Sequence, residues 1–346
     1  MMDTMLHEIH EQPSWVESAI ESERVGVGAL LDAVKERDIR MVVIAARGTS
    51  DNAAVYAKYV LETVVGIPVA LAAPSVVTLY DARLNLSSAL VVGISQSGRG
   101  TDVVQVLSSA RSSGALTACI TNDYASPITA VSDHVLLCHA GEELAVAATK
   151  TYTTALAVVA LLAAKWAEDR ELAVGLAGVP ALMRQALGVE PEIARVAERY
   201  RYMKECAVLA RGINQATALE AALKMTETSY VVAKPYSGAD FLHGPVAMVD
   251  PGFPCFVFAP PGRAFASMLE LVVKIRERGG EAIVFSSDEE ALAMAVTPIR
   301  LPAGVPEMLS PIVYIVAGQL FAYYLSRSRG NNPDSPRGLT KVTLTR

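Results

Sequence analysis

"MVVIAARGTSDNAAVYAKYVLE", residues 41–62, is the stretch on which the fold turns. Its first six residues are apolar without alternation, the pattern of a strand buried on both faces. Gly48, Thr49 and Ser50 then interrupt the run, and a stretch with helical spacing follows. A buried strand, a short loop and a helix open a βαβ unit, whose product is a mostly parallel sheet covered by helices.

Working outward, further apolar runs have the same character. They are "ALVVGI" (89–94), "LTACIT" (116–121), "HVLLC" (134–138), "CAVLA" (206–210), "CFVFA" (255–259) and "EAIVFSS" (281–287). Sliding the chain on itself lays "AARGTSDNAA" (45–54) over "LARGINQATA" (209–218) at an offset of 164 residues. The same offset puts Gly98 on Gly262 and Arg99 on Arg263. One offset at two places predicts a duplicated α/β domain. A chain of 346 residues also exceeds what one core usually organises. The expected division is an N-terminal helical segment (1–23), a first domain (24–165), a helical connection (166–198), a second domain (199–330) and a C-terminal tail (331–346).

Composition narrows the function classes. The 30 basic and 36 acidic residues give a net charge of −6, with no basic patch among aromatics, so nucleic acid is not an expected partner. Cys119, Cys138, Cys206 and Cys255 lie in or beside apolar runs without C-x-x-C spacing, as buried, reduced thiols of a cytoplasmic protein do. The start, "MMDTMLHEIHEQPSW", lacks the apolar core of a secretory signal. "PIVYIVAGQLFAYYL" (311–325) is short for a membrane span and interrupted by Gly318 and Gln319, so it reads as a buried core helix and no membrane is expected.

In the first half, two strands run into hydroxyl-rich loops and then helix starts, "RGTSDN" and "SQSGRGTD". Helix N-termini offer free N–H groups and the positive end of the dipole, and Thr49, Ser50, Ser95, Gln96 and Ser97 add side-chain donors. Any one of these hydroxyls could simply cap a helix. Two such loops in one half predict a phosphate site, and without a P-loop or G-x-G-x-x-G spacing a sugar phosphate fits better than a nucleotide.

"ALEAALKMTETSYVVAKPYSGADFLHGPVAMVD" (218–250) carries the densest chemistry. Helical spacing puts Glu220, Lys224 and Glu227 on one face, either as a solvated salt-bridge ladder or as the lining of a cleft. The helix is expected to run to Lys234-Pro235. Beyond it His243 sits in "FLHGP", a turn histidine suited to acid/base work. In "HVLLCH" (134–139) alternation separates His139 from His134 and Cys138, so no metal is expected there. The end, "GNNPDSPRGLTKVTLTR" (330–346), has the composition of a frayed tail, yet Lys341 stands on a short Val342, Leu344 alternation.

Taken together, "RGTS", "ISQSG", "EELAVAATKTYTT", "ALEAALKMTETSY", "FLHGP" and "DSPRGLTK" resemble, in order and spacing, the sugar isomerase (SIS) half of glutamine:fructose-6-phosphate amidotransferases. The resemblance covers nearly the whole chain from "HEIHEQP" onward. It implies two tandem flavodoxin-like SIS domains, a homodimer and a site for hexose or hexosamine 6-phosphates, with no cofactor. By that resemblance Ser50, Ser95, Gln96 and Ser97 hold the phosphate, and Thr49, Val146 and Ala148 border the sugar. Glu227 matches the carboxylate that moves a proton between C1 and C2, while Lys224 and Glu220 orient and balance charge. His243, offered by the partner subunit, matches the ring-opening acid/base, and Lys341 the lysine that forms a Schiff base with a keto sugar.

Two departures stand out. Where the family has Glu and then Thr after Ser97-Gly98, this chain has Arg99 and Gly100, so one phosphate hydroxyl is missing unless Thr101 replaces it. Where it often has Ser beside the sugar, this chain has Ala148. The sequence also shows no glutaminase domain and no cysteine before Cys119. The expectation is therefore a SIS-type glucosamine-6-phosphate deaminase, making fructose 6-phosphate and ammonia. Its alternatives are an enzyme for galactosamine 6-phosphate or fructosamine 6-phosphate, ammonia-dependent glucosamine-6-phosphate synthesis, and a non-catalytic sugar-phosphate sensor.

Overall fold

The computed structural model describes residues 3–341 and divides into two compact units, each holding one five-stranded sheet. The first unit comprises Ser14–Glu143 and Lys150–Ala177 with the chain end from Thr340. The second comprises Leu144–Thr149 and Gly178–Leu339 with the chain start through Pro13.

In the first unit the strands are β1 (Met41–Ala45), β2 (Val69–Leu71), β3 (Ala89–Ile94), β4 (Leu116–Thr121) and β5 (His134–Leu137). They lie in the order β2-β1-β3-β4-β5, every neighbouring pair parallel. All six residues of β3 and of β4 are buried, which is why these strands read as unbroken apolar runs. The order reverses between β1 and β3, where Ala45 lies opposite Gly93. In an open parallel sheet the crevice at such a reversal, beyond the strand C-termini, is where ligands bind.

The second unit repeats this architecture with β6 (Glu205–Ala210), β7 (Val232–Ser237), β8 (Pro254–Phe258), β9 (Glu281–Ser286) and β10 (Thr297–Arg300). Their order is β10-β9-β8-β6-β7, again all parallel. Numbered from the first strand of each half, both sheets run 2-1-3-4-5, and β1 and β6 start 164 residues apart. The duplication seen in two short matches extends to strand order and spacing.

Three strands escaped the sequence reading, and all three are sheet edges: β2, β7 and β10. β2 has three residues, while β7 and β10 contain Pro235 and Pro298. Proline removes a backbone donor and is tolerated on edge strands, so these segments lack the composition of central ones.

The helix Ser310–Ser328 is almost wholly buried and packs on Gln215–Ser229 and Glu190–Arg199. A Cβ at Gly318 would stand 3.0 Å from the Ala221 Cβ, so glycine permits this close helix approach. The segment Glu307–Ser328 is long and apolar enough to cross a membrane but is 89% buried within the protein, as a core helix is. The helix Gln215–Ser229 ends five residues earlier than its spacing predicts. Tyr230 turns left-handed (φ 57°), and the β-branched Val231 and Val232 lead into β7.

Candidate active site

The helix Gln215–Ser229 follows β6 as the helix Thr49–Val60 follows β1. Its charged stripe is not a solvated ladder. Lys224 is 1% exposed, and its Nζ lies 3.4 Å from Glu220 Oε1 and 2.6 Å from Glu227 Oε2. Glu220 is fully buried, whereas Glu227 keeps 24% exposure. Charges are rarely buried unless paired, and here one ammonium serves a deep carboxylate and one that reaches solvent. Such a group can present a carboxylate to a ligand while its cation stays fixed behind it. Elsewhere in this unit His243 is exposed at the end of the short helix Gly238–Leu242, and Val146 and Ala148 are half-buried. Their segment is held by buried Glu8, whose carboxylate accepts from the N–H groups of Leu144 and Ala145.

The hydroxyl-rich loops belong to the first unit and leave the C-terminal ends of β1 and β3, on the two sides of the reversal in strand order. Thr49 begins one helix behind Gly48 (φ 58°), and Thr101 begins the helix Thr101–Ser112. Ser50, Ser95, Gln96 and Ser97 are half-buried at these ends. The Ser95–Gly98 turn is pinned by backbone bonds, Gly98 N–H to Ser95 O (3.2 Å) and Asn122 N–H to Gln96 O (3.0 Å). Gly98 has φ 61°, and a Cβ there would stand 2.0 Å from Ser126 Oγ. The two loops are also tied across the gap, because Arg47 Nε donates to Asp102 Oδ2 at 2.6 Å and Asp102 is buried in the first turn of its helix. Arg47 and Asp102 were not singled out in the sequence; fifty-five residues separate them, and no local pattern pairs them.

The corresponding place in the second unit is chemically different. Ser95-Gln96-Ser97 is replaced by Ala259-Pro260-Pro261, and the N–H groups of Arg263 and Ala264 donate to the Glu307 carboxylate at 2.9 and 3.4 Å. In the first unit the matching Arg99 N–H meets the Ser97 hydroxyl at 3.3 Å, whereas here the helix start is met by the chain's own carboxylate.

The tail is not frayed over its described part. Asp334 accepts from the N–H groups of Thr4 (3.0 Å) and Met5 (2.7 Å) at the start of the helix Thr4–Ser22. Arg337 donates its N–H to the Tyr230 hydroxyl and lays its guanidinium over that ring, 4.0 Å from the centroid. In the first unit Lys341 Nζ meets Glu143 Oε2 at 2.8 Å. The loop carrying Glu143 follows β5 and is stitched to the Ser95–Gly98 turn through Asn122, whose side chain bonds Ala140 N–H and Gly141 O. Lys341 thus stands at the same end of the sheet as the hydroxyl-rich loops. The Val342, Leu344 alternation lies outside the described residues.

The structure therefore brings the predicted residues together in two sets. Glu220, Lys224 and Glu227 form one cluster, and Thr49, Ser50, Ser95, Gln96, Ser97, Thr101 and Lys341 gather at one sheet end. His139 Nε2 meets Oε1 of buried Glu23 at 2.6 Å. All four cysteines are free and buried. Burial pushes the Cys119 thiol up to about 11 and those of Cys138 and Cys255 up to about 12, and it raises Cys206 as well, so none is an accessible thiolate.

Comparison with known proteins bears on the whole chain. The SIS domain family profile matches residues 37–165 and 201–328. The glutamine–fructose-6-phosphate aminotransferase (isomerizing) of Pyrococcus horikoshii is 36% identical over 346 residues, covering 97% of this chain and 57% of that protein. This chain thus spans under three-fifths of that relative's length. A Silicibacter pomeroyi DSS-3 structure provisionally described as a phosphosugar isomerase is 36% identical, with a TM-score of 0.87 over 96% of this chain and 100% of that one. The C-terminal domain of glucosamine-fructose-6-phosphate aminotransferase from Francisella tularensis is 28% identical, with a TM-score of 0.87 over 97% and 99% of the two chains.

Proposed function

Since this chain belongs to the SIS domain family, we propose that it carries out the isomerising deamination of a hexosamine 6-phosphate, glucosamine 6-phosphate going to fructose 6-phosphate and ammonia. The observation that carries the reading is the buried Glu220–Lys224–Glu227 cluster. A sugar-phosphate sensor has no use for a partly exposed carboxylate backed by a desolvated cation, whereas an aldose–ketose step requires a carboxylate that takes and returns a carbon-bound proton.

In this reading Ser50, Ser95, Gln96, Ser97 and Thr101 hold the phosphate at the two helix starts, and Thr49, Val146 and Ala148 border the sugar. His243, exposed in this chain, is assigned to ring opening from a partner subunit in a homodimer. Glu227 removes the C2 proton of the open aldose to give the enolamine and returns it to C1, leaving an imine at C2. Water adds there and ammonia departs. Lys224 fixes Glu227 and offsets charge as the enolamine forms, with Glu220 fixing Lys224 in turn. Binding energy from the non-reacting phosphate serves to position C1 and C2.

A second reading is the reverse direction, formation of glucosamine 6-phosphate from fructose 6-phosphate and ammonia, which the 36% identity to an aminotransferase favours. One assay separates these. Ammonia release is measured across glucosamine, galactosamine and fructosamine 6-phosphates and their unphosphorylated sugars, alongside hexosamine 6-phosphate formation from fructose 6-phosphate with ammonium. We expect release from glucosamine 6-phosphate, lost in Glu227→Gln with sugar-phosphate binding retained. Turnover unchanged in that variant, or equal with and without phosphate, would overturn the assignment.

A further inference from the structure

Glu143, in the motif "EELAVAATKTYTT", has surroundings unusual for a loop carboxylate. It is fully buried, although it follows β5 by six residues in a segment without regular structure. Its Oε1 accepts the Thr151 N–H at 3.1 Å, and its Oε2 accepts the Thr151 hydroxyl at 2.8 Å. Thr151 lies in the first turn of the seventeen-residue helix Lys150–Trp166, so the carboxylate also faces the positive end of that dipole. Lys341 Nζ also donates to Oε2, at 2.8 Å.

We propose that Glu143 is the residue that positions the Lys341 amine and accepts its proton, so that Lys341 can attack the carbonyl of a keto sugar phosphate; this rests on the reading of Lys341 as the Schiff-base lysine. A lysine ammonium has no lone pair, and attack requires a base in contact with it. Cys138, which feels the Glu143 charge, keeps its proton because burial pushes it up to about 12. Lys150 Nζ lies over the Trp15 ring, 5.6 Å from its centroid. Glu143 is a proton acceptor in direct contact with the amine, and its two bonds to Thr151 keep the accepting oxygen aimed at it.

The chemistry balances. The Lys341 ammonium gives one proton to Glu143, and the freed lone pair forms a C–N bond to the C2 carbonyl, giving a carbinolamine. The C2 hydroxyl leaves as water, taking the proton Glu143 holds, so that a protonated imine and water form while Glu143 returns to carboxylate. No oxidant or further reactant is needed. Lys341 is 26% exposed whereas Glu143 is buried, so solvent and substrate meet the amine rather than the acid behind it.

The test is borohydride trapping with fructose 6-phosphate, scored by mass on the peptide containing Lys341 across a range of pH. The parent should trap an adduct at Lys341. Glu143→Gln should trap it roughly a hundredfold more slowly near neutral pH. Trapping in that variant should recover as the pH rises toward the ordinary lysine range, where free amine forms without a base. Glu143→Asp should restore part of the neutral rate. A purely structural role would lower trapping equally at every pH. Should Glu143→Gln not fold, Thr151→Val, which removes the hydroxyl bond alone, decides by the same pH signature, and an unshifted profile overturns the proposal. Parental trapping kinetics in Glu143→Gln overturn it too. If Lys341→Met traps as much adduct as the parent, the reading of Lys341 itself fails instead.

Discussion

Replacing Lys224 with methionine removes the ammonium from the Glu220–Lys224–Glu227 cluster while keeping most of the side-chain length. The cost follows from burial. Glu220 is fully buried, so Lys224→Met removes the ammonium that stands 3.4 Å from its carboxylate in the core. Stranding one partner of a buried pair costs about 3–5 kcal/mol, whereas an exposed pair is worth about 0–1 kcal/mol. A native domain has about 5–15 kcal/mol in all, so the loss should be plain. Adding Glu220→Gln removes the stranded charge and should recover a large part of it, a coupling that a double-mutant cycle reads directly. The assay is urea unfolding together with hydrogen exchange of the Gln215–Ser229 amides, because a chain of two units need not unfold in one step. A loss below about 1 kcal/mol in Lys224→Met, with no recovery in the double variant, would refute the reasoning, since those are the marks of a solvated surface pair. The recovered double variant should still lack turnover, its Glu227 having lost the Lys224 contact of 2.6 Å.

Two further outcomes follow from the tail and the core. Asp334→Ala should lower stability by about 1–2 kcal/mol, the value of a helix N-cap, because Thr4 and Met5 N–H groups lose their acceptor. Truncation after Gly330 should therefore destabilise the fold as well as remove Lys341, which makes Lys341→Met the cleaner probe of chemistry. Stability should also fall steeply in alkali. The buried thiols are raised above the ordinary value of 9.0, so above that pH the unfolded chain loses protons that the folded chain keeps, and each thiol takes away about 1.4 kcal/mol per pH unit until its folded pKa is passed. Thermal melts from pH 8 to 10.5 test this, and an alkaline limb unchanged in a Cys119→Ala, Cys255→Ala variant would contradict it.

Legibility tracked how local each determinant was. The central strands β1, β3, β4, β6, β8 and β9 were readable because burial on both faces forces continuous apolar runs, whereas edge strands need neither length nor uniform hydrophobicity. The grouping of Glu220, Lys224 and Glu227 followed from helical spacing, but their burial did not, because it depends on the helix Ser310–Ser328 packed alongside. Glu143 stood unnoticed because its partner Lys341 is 198 residues away. The order of the tail was invisible to composition for a similar reason. Its prolines and glycines describe its own conformational preferences, while its order comes from Thr4, Met5 and Tyr230, which composition does not see.

The prolines at the rims of the second sheet have a consequence for the protein in a crowded solution. β7 and β10 form the two margins of that sheet, and an open margin is a template onto which a foreign strand can zip, the first step of ordered aggregation. Pro235 and Pro298 each interrupt the row of donors such a strand would need. Both exposed seams of the later half are thereby spoiled as templates at the sites where a partly unfolded neighbour would dock. Replacing these prolines with valine would leave the cores intact while making the chain more prone to form fibrils on heating.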